Sequence, residues 1–158
     1  MPPIISITDL KKYYPMGGLT VRALNGVTLQ IEPNTFNVVM GPSGSGKSTL
    51  LYLLGGLDRP TGGEINVFGN CIDQLDENAL AKYRRKTIGF IFQSFNLMPG
   101  MTAIENVAFP MRFIGISNRK RLQKAYQLLR RVGLENRAYH KPTELSGGQQ
   151  QRVAIARA

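Results

Sequence analysis

The chain has 158 residues, 42% of them hydrophobic and 8% aromatic, so it is long and apolar enough to bury one domain core and is unlike a disordered chain. The formal net charge of +10 raises the question of nucleic acid or anionic lipid, but the basic residues are dispersed and favour a solvated surface. The single cysteine, Cys71, excludes an internal disulfide. No run approaches the about 18 apolar residues of a membrane-spanning helix.

The predicted elements change in character along the chain. In the first part, strands are predicted over residues 4–14, 27–31, 36–40, 64–68 and 88–92, and helices over residues 48–57 and 77–86. The first two strands are expected to be antiparallel, with a turn at Gly17 and Gly18. Later residues have helical spacing over 103–113 and 120–132, with Pro110 and Gly115 as breaks, and a further helix is predicted over 146–158.

The strongest chemical pattern is a glycine-rich loop that lies between a predicted strand and a predicted helix. Residues 41–48 fit G-x-x-x-x-G-K-[ST], in which glycines let successive N–H groups point inward at phosphates. Lys47 would reach the β- and γ-phosphates, the Ser48 hydroxyl would coordinate Mg²⁺, and Thr49 could bond a phosphate nearer the base. The predicted ATP-binding residues of this segment are Gly41, Ser43, Gly44, Ser45, Gly46, Lys47, Ser48 and Thr49.

A second helix start, at residues 145–149, has the sequence Leu-Ser-Gly-Gly-Gln. Ser146 can cap this helix, but a cap does not need two glycines. Gly147 and Gly148 bare the backbone N–H groups to an outside anion. One nucleotide does not need two such helix starts from one subunit, so the second is expected to serve a nucleotide held by another copy.

These segments resemble the ABC-type ATPases. Residues 41–49 are similar to their Walker A, residues 145–149 to their LSGGQ motif, and Gln93, directly after the strand at 88–92, to their Q-loop glutamine. The resemblance implies an α/β fold of the P-loop NTPase type, with a RecA-like core, an antiparallel β subdomain and an inserted helical subdomain, incomplete at the C-terminus. It divides the chain into a nucleotide-binding core over 1–93, a helical subdomain over 94–145 and the start of the helix after LSGGQ over 146–158.

The resemblance also implies roles for single residues. In this family two cassettes pair head to tail and sandwich ATP between Walker A of one and LSGGQ of the other, which assigns Ser146, Gly147, Gly148 and Gln149 to the nucleotide of a second cassette. Lys47 and Gln93 are the expected catalytic residues, and Ser48 and Gln93 the expected Mg²⁺ ligands. Tyr14 matches the aromatic residue that stacks on adenine, with Tyr13 as the second choice and ordinary strand packing as the alternative for either.

Residues 93–107 and 145–152 resemble the lipoprotein-releasing, macrolide-exporting and cell-division group of cassettes. This implies an ATPase that couples ATP binding and hydrolysis to export or release of a substrate at a bacterial inner membrane. It would lie in the cytoplasm, peripheral on the inner face of the membrane, with a permease subunit or domain as partner, no nucleic acid and no spanning segment of its own. Phe95, Leu97 and Met98 would help receive the permease's coupling helix, unless they pack into the domain itself.

In this family a catalytic Asp, a catalytic Glu and a later histidine follow LSGGQ, and none of them occurs in residues 150–158. His140 precedes the motif and is expected at the surface. Hydrolysis by this chain alone is therefore in doubt, and the isolated chain is expected to be poorly soluble or molten. One alternative is a non-hydrolysing nucleotide-binding remnant. Others are a DNA-repair ATPase, although too few residues separate Gln93 from Leu145 for its long coiled coil, and a translation-associated protein with two cassettes.

Overall fold

The structure is a computed structural model that describes residues 2–158. It divides into two compact units, Met1–Arg84 and Arg85–Ala158. The strands are β1 (Ile5–Met16), β2 (Leu19–Ile31), β3 (Gly62–Val67) and β4 (Asn70–Cys71). The helices are α1 (Lys47–Leu54), α2 (Glu77–Thr87), α3 (Ala103–Ala108), α4 (Asn118–Arg131) and α5 (Gly147–Arg157). Short 3₁₀ turns lie at Ile72–Gln74, Pro110–Ile114, Glu135–Arg137 and Pro142–Glu144.

The first unit is built on an antiparallel sheet with the strand order β2-β1-β3-β4. Strands β1 and β2 form a hairpin in which Met16 pairs with Leu19, so that Gly17 and Gly18, both at positive φ, make a two-residue turn. The predictions of strands over 4–14, 27–31 and 64–68 are confirmed. The second strand begins earlier than predicted, at Leu19, because so tight a turn brings the chain into register with β1 at once.

Two strand predictions are wrong. Residues 36–40 and 88–92 form no strand in the structure. A strand is defined by its ladder of backbone hydrogen bonds, and the four strands of the sheet do not include either segment. The segment 36–40 is also exposed, with Phe36 at 93% and Met40 at 85% of their full accessibility. Its apolar sequence therefore does not reflect burial within the described residues.

The sheet and α1 both contribute buried side chains to the first unit. Ile7 and Leu10 of β1, Ile65 and Val67 of β3, and Leu53 of α1 are almost completely buried. Burial of a large aliphatic side chain contributes about 1.5–3 kcal/mol, so these positions of the sheet and of α1 stabilise the first unit.

The second unit is helical, and α3, α4 and α5 share its core. Val107, Leu129 and Val153, one from each helix, are buried together. The predicted helices are confirmed, although the one over 103–113 ends as an α-helix at Ala108 and continues as the 3₁₀ turn Pro110–Ile114. Proline has no N–H to donate and therefore breaks the α-helical ladder. None of the helices within residues 2–158 is long and apolar enough to cross a membrane.

Candidate functional site

The glycine-rich loop belongs to the first unit and leads directly into α1. Gly46 is the N-cap of α1 and has a left-handed backbone, with φ of 87°. A β-carbon at this position would lie 2.3 Å from the carbonyl oxygen of Ala23 in β2. Only glycine fits this close approach, which fixes where the loop meets the helix.

The side chain of Lys47 curls back into its own loop. Its Nζ donates hydrogen bonds to the carbonyl oxygens of Gly41 at 2.9 Å and Pro42 at 2.7 Å, and lies 3.5 Å from Oγ of Ser45. The loop thus surrounds a cation with backbone groups. The reach of Lys47 to the β- and γ-phosphates stays a prediction, since its ammonium contacts the carbonyls of its own loop here.

The start of α1 has the properties of an anion site. No side chain caps its first N–H groups, and Gly41, Ser43, Gly44 and Ser48 are exposed. Unsatisfied N–H groups and the positive end of the helix dipole favour a phosphate there. A β-carbon on Gly44 would meet no atom within 4 Å, so the loop is open beside this glycine. The residues present therefore fit the phosphates of a nucleotide.

The donor set also fits magnesium. Residues 2–158 contain no group of three acidic, histidine or cysteine side chains that could hold a metal ion. Mg²⁺ usually takes only one or two protein oxygens and completes its shell with phosphate and water. The exposed hydroxyl of Ser48, in the first unit, is an oxygen of this kind.

Tyr14 and Asp58 are brought together in the first unit, although they are far apart in sequence. The Tyr14 hydroxyl donates to Oδ2 of Asp58 at 2.8 Å. Tyr13, the second candidate, instead donates to Asn25 at 2.6 Å and lies under the guanidinium of Arg22. Asp58 was missed by sequence reasoning, since no spacing pattern connects it to Tyr14.

Gln93 lies in the second unit, at an exposed turn closed by a hydrogen bond from the N–H of Phe95 to the carbonyl of Phe92 at 3.0 Å. Phe95 and Asn96 both have left-handed backbones, with φ of 59° and 47°. The guanidinium of Arg157 in α5 donates to both of their carbonyl oxygens. Burial lowers the pKa of Arg157. The role of Arg157 in holding this turn was not predicted from the sequence either.

The loop that follows this turn is held by a buried amide. Asn106 of α3 is 1% exposed and donates to the carbonyls of Met98, Met101 and Thr102 while accepting from the N–H of Met98. Of the apolar residues predicted to meet a coupling helix, Leu97 packs against the helical core and Met98 is 38% exposed. A buried asparagine with four hydrogen bonds has no signature in the sequence.

The LSGGQ segment forms the start of α5, in the second unit. Oγ of Ser146 accepts a hydrogen bond from the N–H of Gln149 at 3.4 Å, and Oε1 of Gln149 accepts one from the N–H of Ser146 at 2.9 Å. This is a capping box, so the capping role considered for Ser146 is present. Gly147 and Gly148 are exposed, and a β-carbon on either would meet no atom within 4 Å.

A phosphate-type loop at α1, an exposed glutamine turn and a glycine-rich helix start together define a nucleotide-binding domain of the P-loop class. Comparison with known proteins refines this. A family model described as "ABC transporter" matches residues 24–158. The chain belongs to this ABC transporter family and is an ATP-binding domain of it.

Two relatives illustrate the match. An uncharacterized ABC transporter ATP-binding protein of Thermotoga maritima is 47% identical over 158 residues, which is all of this chain and 68% of that protein. The macrolide export ATP-binding/permease protein MacB of Hyphomonas neptunium is 51% identical over 157 residues. The match covers 99% of this chain but only 24% of MacB, so the chain spans about a quarter of that relative.

Solved structures agree with this family assignment. The dimeric structure of MJ0796, a bacterial ABC transporter cassette, has a TM-score of 0.92 and 47% sequence identity, and covers 97% of this chain and 68% of its own. A dimeric post-hydrolysis state of MJ0796 bound to ADP and Pi has the same TM-score at 46% identity and the same coverage. The predicted P-loop NTPase fold of the α/β class is confirmed.

Proposed function

We propose that the protein uses this domain to couple ATP binding and hydrolysis to export or release of a substrate at a bacterial inner membrane. The observation that carries the proposal is the loop of residues 41–48, which wraps Lys47 at the uncapped start of α1. Relatives named for macrolide export support the direction of transport. The substrate itself would be selected by the membrane subunit and not by this domain.

Within this proposal the first unit binds the nucleotide. Backbone N–H groups of the loop and the Lys47 ammonium would hold the phosphates, and Thr49 would contact a phosphate nearer the base. Tyr14 would stack on adenine. Mg²⁺, when bound, supplies charge neutralisation between the phosphates, and Ser48 and Gln93 would be its protein ligands. Lys47 and Gln93 are the proposed catalytic residues.

The partners follow from the second helix start. Gly147 and Gly148 of α5 expose their backbone beside Ser146 and Gln149, which suits an anion delivered from outside the chain. We infer that a second cassette supplies that nucleotide in a head-to-tail dimer, as the dimeric MJ0796 structures support.

A permease subunit or domain is the other partner, supported by the ATP-binding/permease relative. The domain would then lie at the cytoplasmic face of the membrane, with residues 1–93 as the nucleotide-binding core, 94–145 as the helical subdomain and 146–158 as the start of the helix after LSGGQ.

The test compares Lys47→Ala with Lys82→Ala in the full-length natural protein. Removal of a charge-assisted contact to phosphate should weaken MgATP binding about 10- to 100-fold, measured by calorimetry. The exposed Lys82 lies in α2, and its removal should leave the affinity unchanged. Equal ATP affinity in the wild type and the Lys47→Ala variant would contradict the proposed nucleotide site.

A second measurement addresses transport. ATP hydrolysis by the full-length protein together with its permease in lipid vesicles should exceed hydrolysis without the permease, and the Lys47→Ala variant should abolish both. Hydrolysis that never responds to a permease would favour one of the soluble ABC-type alternatives. Nucleotide binding without any hydrolysis would favour the non-hydrolysing remnant.

A further inference from the structure

Tyr14 belongs to a polar cluster whose other two members, Lys12 and Asp58, have no role in the function proposed above. The cluster consists of Lys12 and Tyr14 of β1 and Asp58, which follows α1 in the chain. Nζ of Lys12 lies 2.6 Å from Oδ1 of Asp58, and the Tyr14 hydroxyl donates to Oδ2 of the same carboxylate at 2.8 Å. The two oxygens of one carboxylate are thus divided between a cation and a phenol.

The carboxylate is itself held in place. Its Oδ1 accepts a hydrogen bond from the N–H of Arg59 at 2.7 Å, and Lys12 also donates to the carbonyl of Arg59 at 2.7 Å. Burial disfavours the charged form of Asp58, but the hydrogen bonds from Lys12, Tyr14 and Arg59 outweigh it and lower its pKa. Asp58 therefore remains an acceptor with a fixed direction at neutral pH.

The aromatic ring of Tyr14 is restrained at two points. The Lys12 ammonium lies 4.8 Å from the ring centroid, within the range of a cation–π contact. The hydroxyl is held by its hydrogen bond to Asp58. A side chain with only two rotatable bonds that is held at its tip and over one face has little freedom left to rotate.

The strand that carries Tyr14 is also hydrogen-bonded to the segment that follows α1 and contains Asp58. The N–H of Tyr13 donates to Oγ1 of Thr61 at 2.7 Å, and the N–H of Thr61 donates to the carbonyl of Lys11 at 2.8 Å. The segment that follows α1 therefore fixes both the backbone and the side chain around Tyr14. A ring in a fixed orientation stacks on a base with a smaller loss of conformational entropy than a mobile ring.

We propose that Asp58 is a positioning residue for adenine recognition, which holds the Tyr14 ring in the orientation that stacks on the base without touching the nucleotide. This inference rests on the proposed function, in which Tyr14 contacts adenine. It makes a distinctive prediction, because a residue that acts through the base platform affects ligands that carry a base and spares ligands that carry only phosphates.

The experiment measures affinities for MgATP and for inorganic tripolyphosphate with Mg²⁺ by calorimetry, in the full-length protein. Asp58→Ala should weaken ATP binding about five- to tenfold, which is the size of the net contribution of one ordinary hydrogen bond, because Asp58 acts through Tyr14 and not on the nucleotide. The affinity for tripolyphosphate should change less than about twofold. Asp58→Asn retains an oxygen acceptor for the Tyr14 hydroxyl and should recover most of the ATP affinity.

Tyr14→Phe tests the same hydrogen bond from the other side, without leaving Lys12 unpaired. It should weaken ATP binding about as much as Asp58→Ala, and the double variant should be no weaker than either single variant, because the two changes remove one interaction. Asp73→Asn is the matched control, since this carboxylate of the same unit accepts from the N–H of Ile65 and not from Tyr14. It should leave both affinities unchanged.

Three outcomes would overturn the inference. Equal losses of ATP and tripolyphosphate affinity in Asp58→Ala would mean a general structural role. Unchanged ATP affinity in both Asp58→Ala and Tyr14→Phe would mean that the hydrogen bond does not matter. Normal ATP affinity in Tyr14→Ala would mean that Tyr14 does not stack on the base. In that case, a loss of both ATP and tripolyphosphate affinity in Lys47→Ala would still support the proposed nucleotide site. If Lys47→Ala weakened neither ligand, the proposed nucleotide site would be wrong as well.

Discussion

Helices α1 and α5 both begin with glycine-rich sequences, but their first turns are built in opposite ways. The N-cap of α1 is Gly46 in a left-handed conformation with no side-chain cap, and its position is dictated by the neighbouring carbonyl of Ala23. The N-cap of α5 is Ser146, which forms a reciprocal capping box with Gln149. The start of α1 therefore depends on tertiary packing and leaves its N–H groups available, whereas the start of α5 is stabilised by its own sequence.

The largest expected effect follows from Gly46→Ala. The added β-carbon overlaps the Ala23 carbonyl and the left-handed backbone becomes strained, so the free energy of unfolding should fall by about 3 kcal/mol or more. Urea denaturation measures the loss, and ATP affinity should fall with it. Gly44→Ala is the matched control, because it adds the same strain at φ of 83° without an overlap and should cost only about 1–2 kcal/mol. Equal losses would show that the close approach is unimportant.

At its other end α1 is held by Tyr83 of α2, whose hydroxyl donates to the carbonyl of Leu54 at 2.7 Å. Tyr83→Phe should therefore lower the free energy of unfolding by about 1 kcal/mol at pH 8. The exposed Tyr139 serves as control, since Tyr139→Phe should have no effect. If Tyr83→Phe has the same free energy of unfolding as the wild type, α1 does not need this hydrogen bond.

The same tyrosine gives a pH dependence. Burial raises the pKa of Tyr83 to about 12, above the value of about 10 in an unfolded chain. The folded state therefore keeps the phenolic proton more tightly, and this contribution to stability is complete below pH of about 10 and is lost as the pH rises toward 12. Denaturation at pH 8 and pH 11 should show the wild type losing more stability than Tyr83→Phe.

For α5, Ser146→Ala removes the side-chain acceptor of the capping box. The free energy of unfolding should fall by about 1 kcal/mol, the usual effect of losing an N-cap hydroxyl. Ser146→Thr keeps the hydroxyl and should recover most of that loss in the same denaturation experiment. If serine, threonine and alanine give equal stability, local capping does not determine the start of this helix.

The smallest expected effect on stability has the opposite sign. Gly148→Ala adds a β-carbon in open space within a helix, so the free energy of unfolding should rise by about 0.5 kcal/mol. ATP hydrolysis by the full-length protein should nevertheless fall, because the β-carbon would obstruct a nucleotide brought by a second cassette. Gly100→Ala, also in open space but outside the helices, should leave hydrolysis unchanged. Full hydrolysis in Gly148→Ala would argue against a nucleotide at this helix start.

Features that depend on neighbours in sequence were predictable. Local features of this kind are the phosphate loop, the capping box and the turn of the β1–β2 hairpin. The residues that form each of them lie close together in the chain, so the pattern can be recognised in the sequence. Periodicity also located the helices, including α2 and α4, because an amphipathic helix repeats its apolar positions at a constant interval. The strand predictions over 36–40 and 88–92 were wrong, because a strand exists only through pairing with another segment, which apolar sequence alone does not supply.

The sequence by itself therefore determined the family, the phosphate loop at Lys47 and the glycine-rich start of α5. Only the tertiary structure decided which distant side chains support them: Asp58 beside Tyr14, Arg157 at the turn after Gln93, and Asn106 within the loop that follows. The physical reason is that a loop that wraps its own lysine is encoded over adjacent residues. A polar side chain with partners far away in sequence, in contrast, takes its hydrogen bonds from whatever the fold places next to it.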